Sequence, residues 1–162
     1  MPINKAPTTP EAADINAAQL VAQAIAVRQR AYAPYSGYPV GAAVLADDGR
    51  IYTGCNVENA VYPLTMCAER VAVVKALSEG ARHIVAVAVA TANGGTPCGA
   101  CRQVLCEFGA PEMPVFIARL DGSYRQWTLA GLLPAAFSAI DLETSSGQGS
   151  GEGPPRIDPG SR

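Results

Sequence analysis

IVAVAVAT, residues 84–91, is the segment from which the fold of this chain follows most directly. Valine or isoleucine alternates with alanine along it, so both sets of positions are apolar. This pattern predicts a strand with two covered faces, one of them packed closely by helices. A strand of this kind is typical of a sheet that lies between layers of helices.

Strands and helices alternate on both sides of this central strand. The first helix is predicted from Thr9, an N-cap followed by Pro10 and Glu11, to about Tyr32. The other predicted strands cover residues 38–46, 50–55, 114–118 and 123–127. The other predicted helices cover residues 67–78, residues 97–108 after a loop entry, and a short segment capped by Thr128. The alternation predicts an α/β fold, a three-layer α/β/α sandwich with a mixed sheet of about five strands.

Length and composition indicate one main domain. The chain has 162 residues, of which 49% are hydrophobic and 16% charged, which suffices for one packed core. We expect a flexible N-terminus over residues 1–13, the domain over residues 14–142, and a disordered tail rich in glycine, serine and proline over residues 143–162. We expect no secretory signal and no membrane span, because the longest apolar stretches are too short to cross a bilayer.

Charge and aromatic content argue against nucleic acid as a partner. The formal net charge is −2, and only 6% of the residues are aromatic. A duplex-binding protein needs a basic surface, and a single-strand binder needs stacking platforms. The five cysteines, without a secretory signal, favour reduced thiols or metal ligation over a disulfide framework, which agrees with a cytoplasmic location.

Two cysteine motifs carry the chemistry. The first is Cys67-Ala68-Glu69-Arg70, and the second is PCGACRQ, residues 97–103, each at a predicted helix start. A C-x-x-C pair and a third thiol from another helix give three zinc ligands, Cys67, Cys98 and Cys101. Catalytic zinc keeps one position open for water, whereas structural zinc usually has four protein ligands. The carboxylate of Glu69 beside these ligands therefore indicates a catalytic zinc with an acid–base group.

The charges around such a site are consistent with this interpretation. Three thiolates on a dication leave a formal charge of −1, which helix N-termini stabilise. Arg70 and Arg102 directly follow motif residues and are expected to offset the excess charge by hydrogen bonds to sulfur. The alternative is a structural zinc site in a binding module, with Cys55 or Cys106 as fourth ligand. Otherwise these two cysteines are small core residues.

The motifs, together with other segments in the same order, resemble the small, homotetrameric, three-cysteine class of cytidine deaminases. The resemblance runs from about residue 16 to residue 142. The further matching segments are APYS at 33–36, VGAA at 40–43, GCNVENA at 54–60 and LLPAAF at 132–137. The resemblance implies Cys67, Cys98 and Cys101 as ligands of one zinc ion per chain, and Glu69 as the proton shuttle.

The resemblance also implies residues that bind the substrate. Asn56 and Glu58 match a pair that bonds the ribose 3′-hydroxyl, although two such residues after a strand are also ordinary turn residues. The backbone of Ala68 matches a base contact. Tyr38 stands where the family usually has phenylalanine, so its hydroxyl needs a partner or solvent. The residues matched to positions supplied by a neighbouring subunit are Phe137, which packs on the base, and Ala60 and Tyr62, near the sugar 5′ end.

The function that the resemblance implies is zinc-dependent hydrolytic deamination. Cytidine and 2′-deoxycytidine become uridine and 2′-deoxyuridine with release of ammonia, a reaction of pyrimidine salvage. The implied assembly is a cytoplasmic homotetramer with shared active sites. A relative that deaminates another aminated pyrimidine shares the same zinc chemistry, and kinetics would separate the two. A deaminase acting on polynucleotides would need a basic groove, which the net charge of −2 disfavours.

Overall fold

A mixed five-stranded sheet is the centre of the fold in a computed structural model of the chain, which describes residues 15–139 and 141–142. The strands are β1 (Gly41–Ala46), β2 (Ile51–Cys55), β3 (Ile84–Ala90), β4 (Pro114–Ala118) and β5 (Tyr124–Thr128). Their order is β2-β1-β3-β4-β5, in which β3 and β4 are parallel and the other neighbours are antiparallel. The prediction of a mixed sheet of about five strands is confirmed.

Helices cover both faces of this sheet. In the described part of the chain they are α1 (Ala17–Arg28), α2 (Ala68–Ser78), α3 (Gly99–Phe108) and the short α4 (Leu129–Leu132), and a 3₁₀ turn lies at Tyr62–Leu64. On β3 the two faces differ as its sequence predicts, since alternate side chains point to opposite faces. Ala86, Ala88 and Ala90 cluster with Leu20, Val21 and Ala24 of α1. Val87 and Val89 cluster with residues of α2 and α3 on the other face, which completes the three layers.

The first helix is shorter than the sequence predicts. It begins at Ala17, where the side chain of Asn16 accepts a hydrogen bond of 3.0 Å from the backbone N–H of Gln19. The predicted cap, Thr9, lies outside the described residues. The helix ends at Arg28 rather than Tyr32, because Tyr32 instead exchanges backbone hydrogen bonds with the segment after β2, its N–H donating to Asn56.

The other element boundaries shift by a few residues. The strand predicted from residue 38 begins at Gly41, because Val40 bonds to the backbone and side chain of Asn56 rather than to a neighbouring strand. The two terminal segments predicted as flexible or disordered, residues 1–13 and 143–162, lie outside the described residues. In the part of the chain that the structure describes, no helix has the length and apolar character to cross a membrane.

The strand directions bring several chain ends together at one edge of the sheet. Because β1 is antiparallel to both β2 and β3, and β4 is parallel to β3, the carboxyl ends of β2, β3 and β4 lie at the same edge. In open α/β sheets, ligands bind outside the carboxyl ends of the strands. Helices α2 and α3 begin at this edge, and a cavity lies between their first residues and the ends of β2 and β3.

Candidate active site

A cavity of about 260 Å³ opens at the carboxyl edge of the sheet. This volume is close to the lower end of the range for small-molecule sites. Eight of the residues singled out from the sequence line it, namely Tyr38, Asn56, Glu58, Tyr62, Cys67, Ala68, Glu69 and Cys98. Cys101 lies directly behind Cys98, buried in the first turn of α3.

The structure brings the three motif cysteines together. Cys67 is the N-cap of α2 and Cys98 the N-cap of α3, and their Sγ atoms are 3.9 Å apart. The Sγ atoms of Cys67, Cys98 and Cys101 all lie within 4.8 Å of one another. Tetrahedral zinc with Zn–S bonds of about 2.3 Å places its sulfurs roughly 3.8 Å apart. The three thiols therefore fit one zinc ion and leave its fourth position open.

Hydrogen bonding favours the ionised form of Cys67. The Cys101 thiol donates a hydrogen bond to Cys67, which lowers the pKa of Cys67, and the guanidinium of Arg70 acts in the same direction. The same hydrogen bond raises the pKa of Cys101, together with burial and the charge on Glu69. Thiolates are the form that binds metal, and both helix N-termini stabilise negative charge.

Glu69 lies in the first turn of α2 and is only 4% exposed. Burial raises its pKa to about 7, and the charge on Cys67 acts in the same direction. A carboxyl group with a pKa near the working pH takes up and releases protons with little cost in either direction. Because Glu69 faces the cavity beside the sulfur cluster, its carboxyl group is placed for proton transfer to a bound ligand.

The two arginines that follow motif residues behave differently. Arg70 donates to Sγ of Cys67 at 3.7 Å and to the carbonyl of Thr65 at 2.9 Å, while its buried Nε has no hydrogen-bond partner among residues 15–139 and 141–142. The hydrogen bonds described for Arg102 do not reach sulfur. They go to the carbonyls of Pro97, at 2.7 Å, and Leu132, at 2.6 Å, and to the hydroxyl of Thr96, at 2.9 Å. Arg102 thus holds the segment before Cys98 through its backbone.

Asn56 and Glu58 follow β2 and are 7% and 5% exposed. The side chain of Asn56 accepts from the N–H of Val40 at 2.8 Å and donates to the carbonyl of Tyr38 at 3.0 Å. The Oε2 atom of Glu58 accepts from the N–H groups of Tyr35, at 2.8 Å, and Ser36, at 3.2 Å. Burial opposes ionisation of Glu58, but hydrogen bonds from Ser36 and Tyr35 outweigh it and lower the pKa.

Other residues singled out from the sequence lie away from this cavity or differ in position. Phe137 is 59% exposed, and Ala60 is also exposed. Tyr62, which the resemblance matches to a neighbour's site, lines the cavity of its own chain. Among the described residues, the cysteine group contains neither Cys55 nor Cys106, so the structural-zinc alternative lacks both of its suggested fourth ligands.

Several cavity residues were not assigned a role from the sequence. Thr91, only 2% exposed, follows β3 and lines the cavity, as do Ser36 and Gly95. A sequence feature that points to Thr91 is its position, because it is the polar end of an otherwise apolar strand at the carboxyl edge. The role of Ser36 depends on a contact with Glu58 across 22 residues, which no local pattern predicts.

The three sulfurs can hold a zinc ion and leave its fourth position free, and a buried carboxyl group that can carry protons lies beside them. This combination is typical of a zinc-dependent hydrolase, so the site assigns the chain to this class. Residues 15–117 match the family model for the cytidine and deoxycytidylate deaminase zinc-binding region. The match covers more than half of the chain, so the chain belongs to this family.

Individual relatives agree with the family match. A cytidine deaminase from Sporosarcina psychrophila is 50% identical over 132 residues, which cover 80% of this chain and 97% of that protein. One from Mycobacterium tuberculosis strain H37Rv is 47% identical over 114 residues, or 69% of this chain and 82% of that protein. The crystal structure of a cytidine deaminase from Burkholderia pseudomallei has a TM-score of 0.70 and 46% identity, covering 74% of this chain and 97% of that one. The predicted α/β fold, hydrolase class and zinc cofactor are confirmed.

Proposed function

We propose that this chain catalyses the zinc-dependent hydrolytic deamination of cytidine and 2′-deoxycytidine to uridine and 2′-deoxyuridine. The observation that carries the proposal is the position of Glu69. Its buried carboxyl group lines one cavity together with Cys67 and Cys98 of the cysteine cluster and with the buried polar residues Asn56 and Glu58. A pyrimidine nucleoside has the matching parts, a ring with an exocyclic amino group and a sugar with hydroxyl groups.

The zinc ion is held by Cys67, Cys98 and Cys101, whose sulfurs are close enough to share it. When bound, zinc supplies the acidity that makes water a nucleophile at neutral pH. Arg70 donates to Sγ of Cys67 and withdraws charge from it, which keeps the three-sulfur set from donating too strongly. Arg102 supports the same ligands through the backbone before Cys98.

Glu69 moves the protons of the reaction. It accepts a proton from the attacking water and delivers it to N3 of the pyrimidine, while a C–O bond forms at C4. It then takes the proton of the new hydroxyl group to the amino nitrogen, so the C–N bond breaks and ammonia leaves. One carboxyl group suffices because it acts first as base and then as acid. The backbone of Ala68, beside Glu69 in the cavity wall, is the proposed contact to the base.

The sugar binds at the opposite end of the cavity. The main-chain donors of Tyr35 and Ser36 bond to Oε2 of Glu58, so we assign Oε1 as the acceptor of the ribose 3′-hydroxyl. Asn56 is placed beside it, with one hydrogen of Nδ2 bonded to the carbonyl of Tyr38. Tyr38 also lines the cavity, and its ring is the proposed packing surface for the base. These contacts orient C4 towards Glu69.

The test is the loss of cytidine's near-ultraviolet absorbance in the presence of the protein. Glu69→Gln keeps the shape but cannot transfer protons, so kcat should fall at least about a hundredfold while zinc stays bound. Glu107→Gln changes an exposed carboxyl group on α3 and serves as the matched control. Free cytosine, which lacks the sugar, should be a poor substrate. Activity of Glu69→Gln within tenfold of the wild type would assign the proton transfer to another residue.

We also propose that the protein assembles as a homotetramer with shared sites. Large apolar side chains are exposed beside the cavity, where the Tyr35 and Tyr62 rings are 6.5 Å apart, and contiguous exposed apolar groups of this kind favour association. The exposed residues of this region are Tyr32, Tyr35, Val57, Val61, Tyr62 and Leu64. In the proposed assembly, Phe137 and Ala60 complete the site of a neighbouring subunit, and Tyr62 lies close to that boundary.

A mixed assembly tests the sharing. Co-expressed chains carrying Glu69→Gln or Phe137→Ala, each impaired alone, should together regain activity, because some sites then combine an intact Glu69 with a neighbour's intact Phe137. Sedimentation should give the mass of four chains. If verified mixed tetramers show only the summed activity of the two parents, Phe137 serves its own subunit and the shared site is refuted.

The remaining proposals concern the extent and location of the enzyme. The catalytic domain is assigned to residues 14–142, which includes the family match and α4. A cytoplasmic location is proposed because the zinc site needs reduced thiols, which that compartment maintains. The substrate is a free nucleoside rather than a polynucleotide, since the net charge is −2. Cell fractionation with an antibody to the protein tests the location.

A further inference from the structure

We propose that Tyr38 is a positioning residue, whose hydroxyl holds the loop at residues 91–98 and thereby the zinc ligand at its end. The Tyr38 hydroxyl donates a hydrogen bond of 2.5 Å to Oδ1 of Asn93. Tyr38 precedes β1, whereas Asn93 follows β3, so the bond joins segments 55 residues apart in sequence. The loop that contains Asn93 leads directly to Cys98, the N-cap of α3.

The contact continues into the loop through a short network. The hydroxyl of Thr91 donates to the same Oδ1 of Asn93 at 3.2 Å and accepts from the N–H of Gly95 at 2.6 Å. Thr91 is 2% exposed and therefore anchors the network in the core. Residues 91, 93 and 95 are thus tied to one another, and the Tyr38 hydroxyl ties them to the segment that precedes β1.

The backbone of Tyr38 is fixed from the other side. Its carbonyl accepts from Nδ2 of Asn56 at 3.0 Å, and its N–H donates to the hydroxyl of Ser36 at 3.0 Å. Tyr38 therefore connects Asn56, at the end of β2, with the loop that presents Cys98. The hydroxyl acts on the metal end through Asn93 and the loop that leads to Cys98.

The backbone of Gly95 lies close to the same Tyr38 hydroxyl. A Cβ atom added at Gly95 would lie 2.6 Å from the Tyr38 hydroxyl oxygen, a distance that real Cβ atoms do not show. The φ angle of Gly95 is not in the left-handed region, so its backbone conformation alone admits a side chain. The space taken by the Tyr38 hydroxyl is the closest obstacle to a side chain at position 95.

The first test is Tyr38→Phe, which removes the hydroxyl and keeps the ring. Amide hydrogen exchange at residues 92–98 should become faster in both the zinc-free and the zinc-loaded protein, and zinc release to a chelator should accelerate about threefold, as loss of one partly exposed hydrogen bond implies. The melting temperature of Tyr38→Phe should fall by no more than that of the control variant Tyr124→Phe. Tyr124 lies on β5, and its ring packs on Phe116. Unchanged exchange and zinc release in Tyr38→Phe would overturn the proposal.

The second test uses the contact with Gly95. Gly95→Ala alone should accelerate zinc release and loop exchange, because the new methyl group and the Tyr38 hydroxyl cannot both keep their places. In the double variant with Tyr38→Phe, part of this effect should disappear. Strictly additive effects would refute the role of the hydroxyl. Neither readout requires a substrate, so failure here is distinguishable from failure of the proposed deaminase reaction.

Discussion

Gly54 on β2 packs directly against the first turn of α2, the helix that carries Glu69. A Cβ atom added at Gly54 would lie 2.5 Å from the backbone nitrogen of Ala72, 2.6 Å from the carbonyl oxygen of Ala68 and 2.9 Å from Cβ of Val71. Two of these three neighbours are backbone atoms, so a side-chain rotation cannot relieve the contact. In Gly54→Ala, strand and helix must therefore separate until ordinary contact distances return.

The size of this displacement follows from the distances. Ordinary van der Waals contact for Cβ begins at 3.4 Å, so the first turn of α2 must move by about 0.9 Å. Overpacking of this kind costs about 1–3 kcal/mol of stability. A misplacement of about 1 Å at a reacting group costs up to about a hundredfold in rate, and Cys67, Ala68 and Glu69 all lie in the displaced segment.

The assay is steady-state deamination of cytidine together with urea unfolding, with kcat corrected for the folded fraction. Val21→Ala is the control, because Val21 is 2% exposed on α1, on the other face of the sheet, and its truncation costs stability without moving α2. We expect kcat to fall by about a hundredfold in Gly54→Ala and to stay close to wild type in Val21→Ala. A wild-type kcat in folded Gly54→Ala would refute the link between strand packing and Glu69 position.

Two further predictions concern the zinc site and the sugar end of the cavity. Cys98→Ala should reduce the zinc content from about one ion per chain to a small fraction and lower the melting temperature, because the ligands join two helix starts. Elemental analysis measures the zinc content, and the control Cys106→Ala should keep its zinc. A full zinc content in Cys98→Ala would contradict the ligand set. Glu58 has a folded-state pKa below its ordinary 4.5, so its stabilisation is present above pH 4.5 and is lost as pH falls through the lower folded-state value. The urea concentration at the unfolding midpoint should therefore be higher for the wild type than for Glu58→Gln at pH 6, and this difference should shrink towards pH 3. A difference that does not depend on pH would show that the charge of Glu58 does not contribute to stability.

Local patterns in the sequence predict most of the secondary structure. The alternation in β3 predicts that both of its faces are covered, and in the structure the alanines pack against α1 while the larger residues fill the other face. The start of α1 is the largest difference in an element boundary. Thr9 with Pro10 and Glu11 is a good helix start in isolation, but Asn16 also supplies a capping oxygen, and the chain uses it. Two competing local signals cannot be ranked without the packing of the helix.

The sequence predicts the metal end of the site better than the rest. Each cysteine motif is recognisable within a few residues at a helix start, and the resemblance to the deaminase motifs indicates that the two motifs meet, although Cys67 and Cys98 are 31 residues apart. The partners of Arg102 and Tyr38 are different, because they depend on how segments meet in three dimensions. Arg102 bonds to the backbone of Leu132, 30 residues away, and the Tyr38 hydroxyl finds Asn93, 55 residues away. No short-range pattern encodes such contacts.

The topology explains why metal, proton carrier and sugar contacts occur at the same edge of one small domain. Strands β2 and β3 run in the same direction on either side of β1, so Asn56 and Thr91, which follow their carboxyl ends, lie at the same edge and line the same cavity. The chain then returns to begin α2 and α3 at that edge, and each helix start presents a cysteine where its unpaired N–H groups favour negative charge. Zinc binding therefore fixes the starts of two helices on the ends of two strands. It follows that a substitution at the β2–α2 contact, such as one at Gly54, should alter the chemistry as well as the stability, although Gly54 itself does not line the cavity.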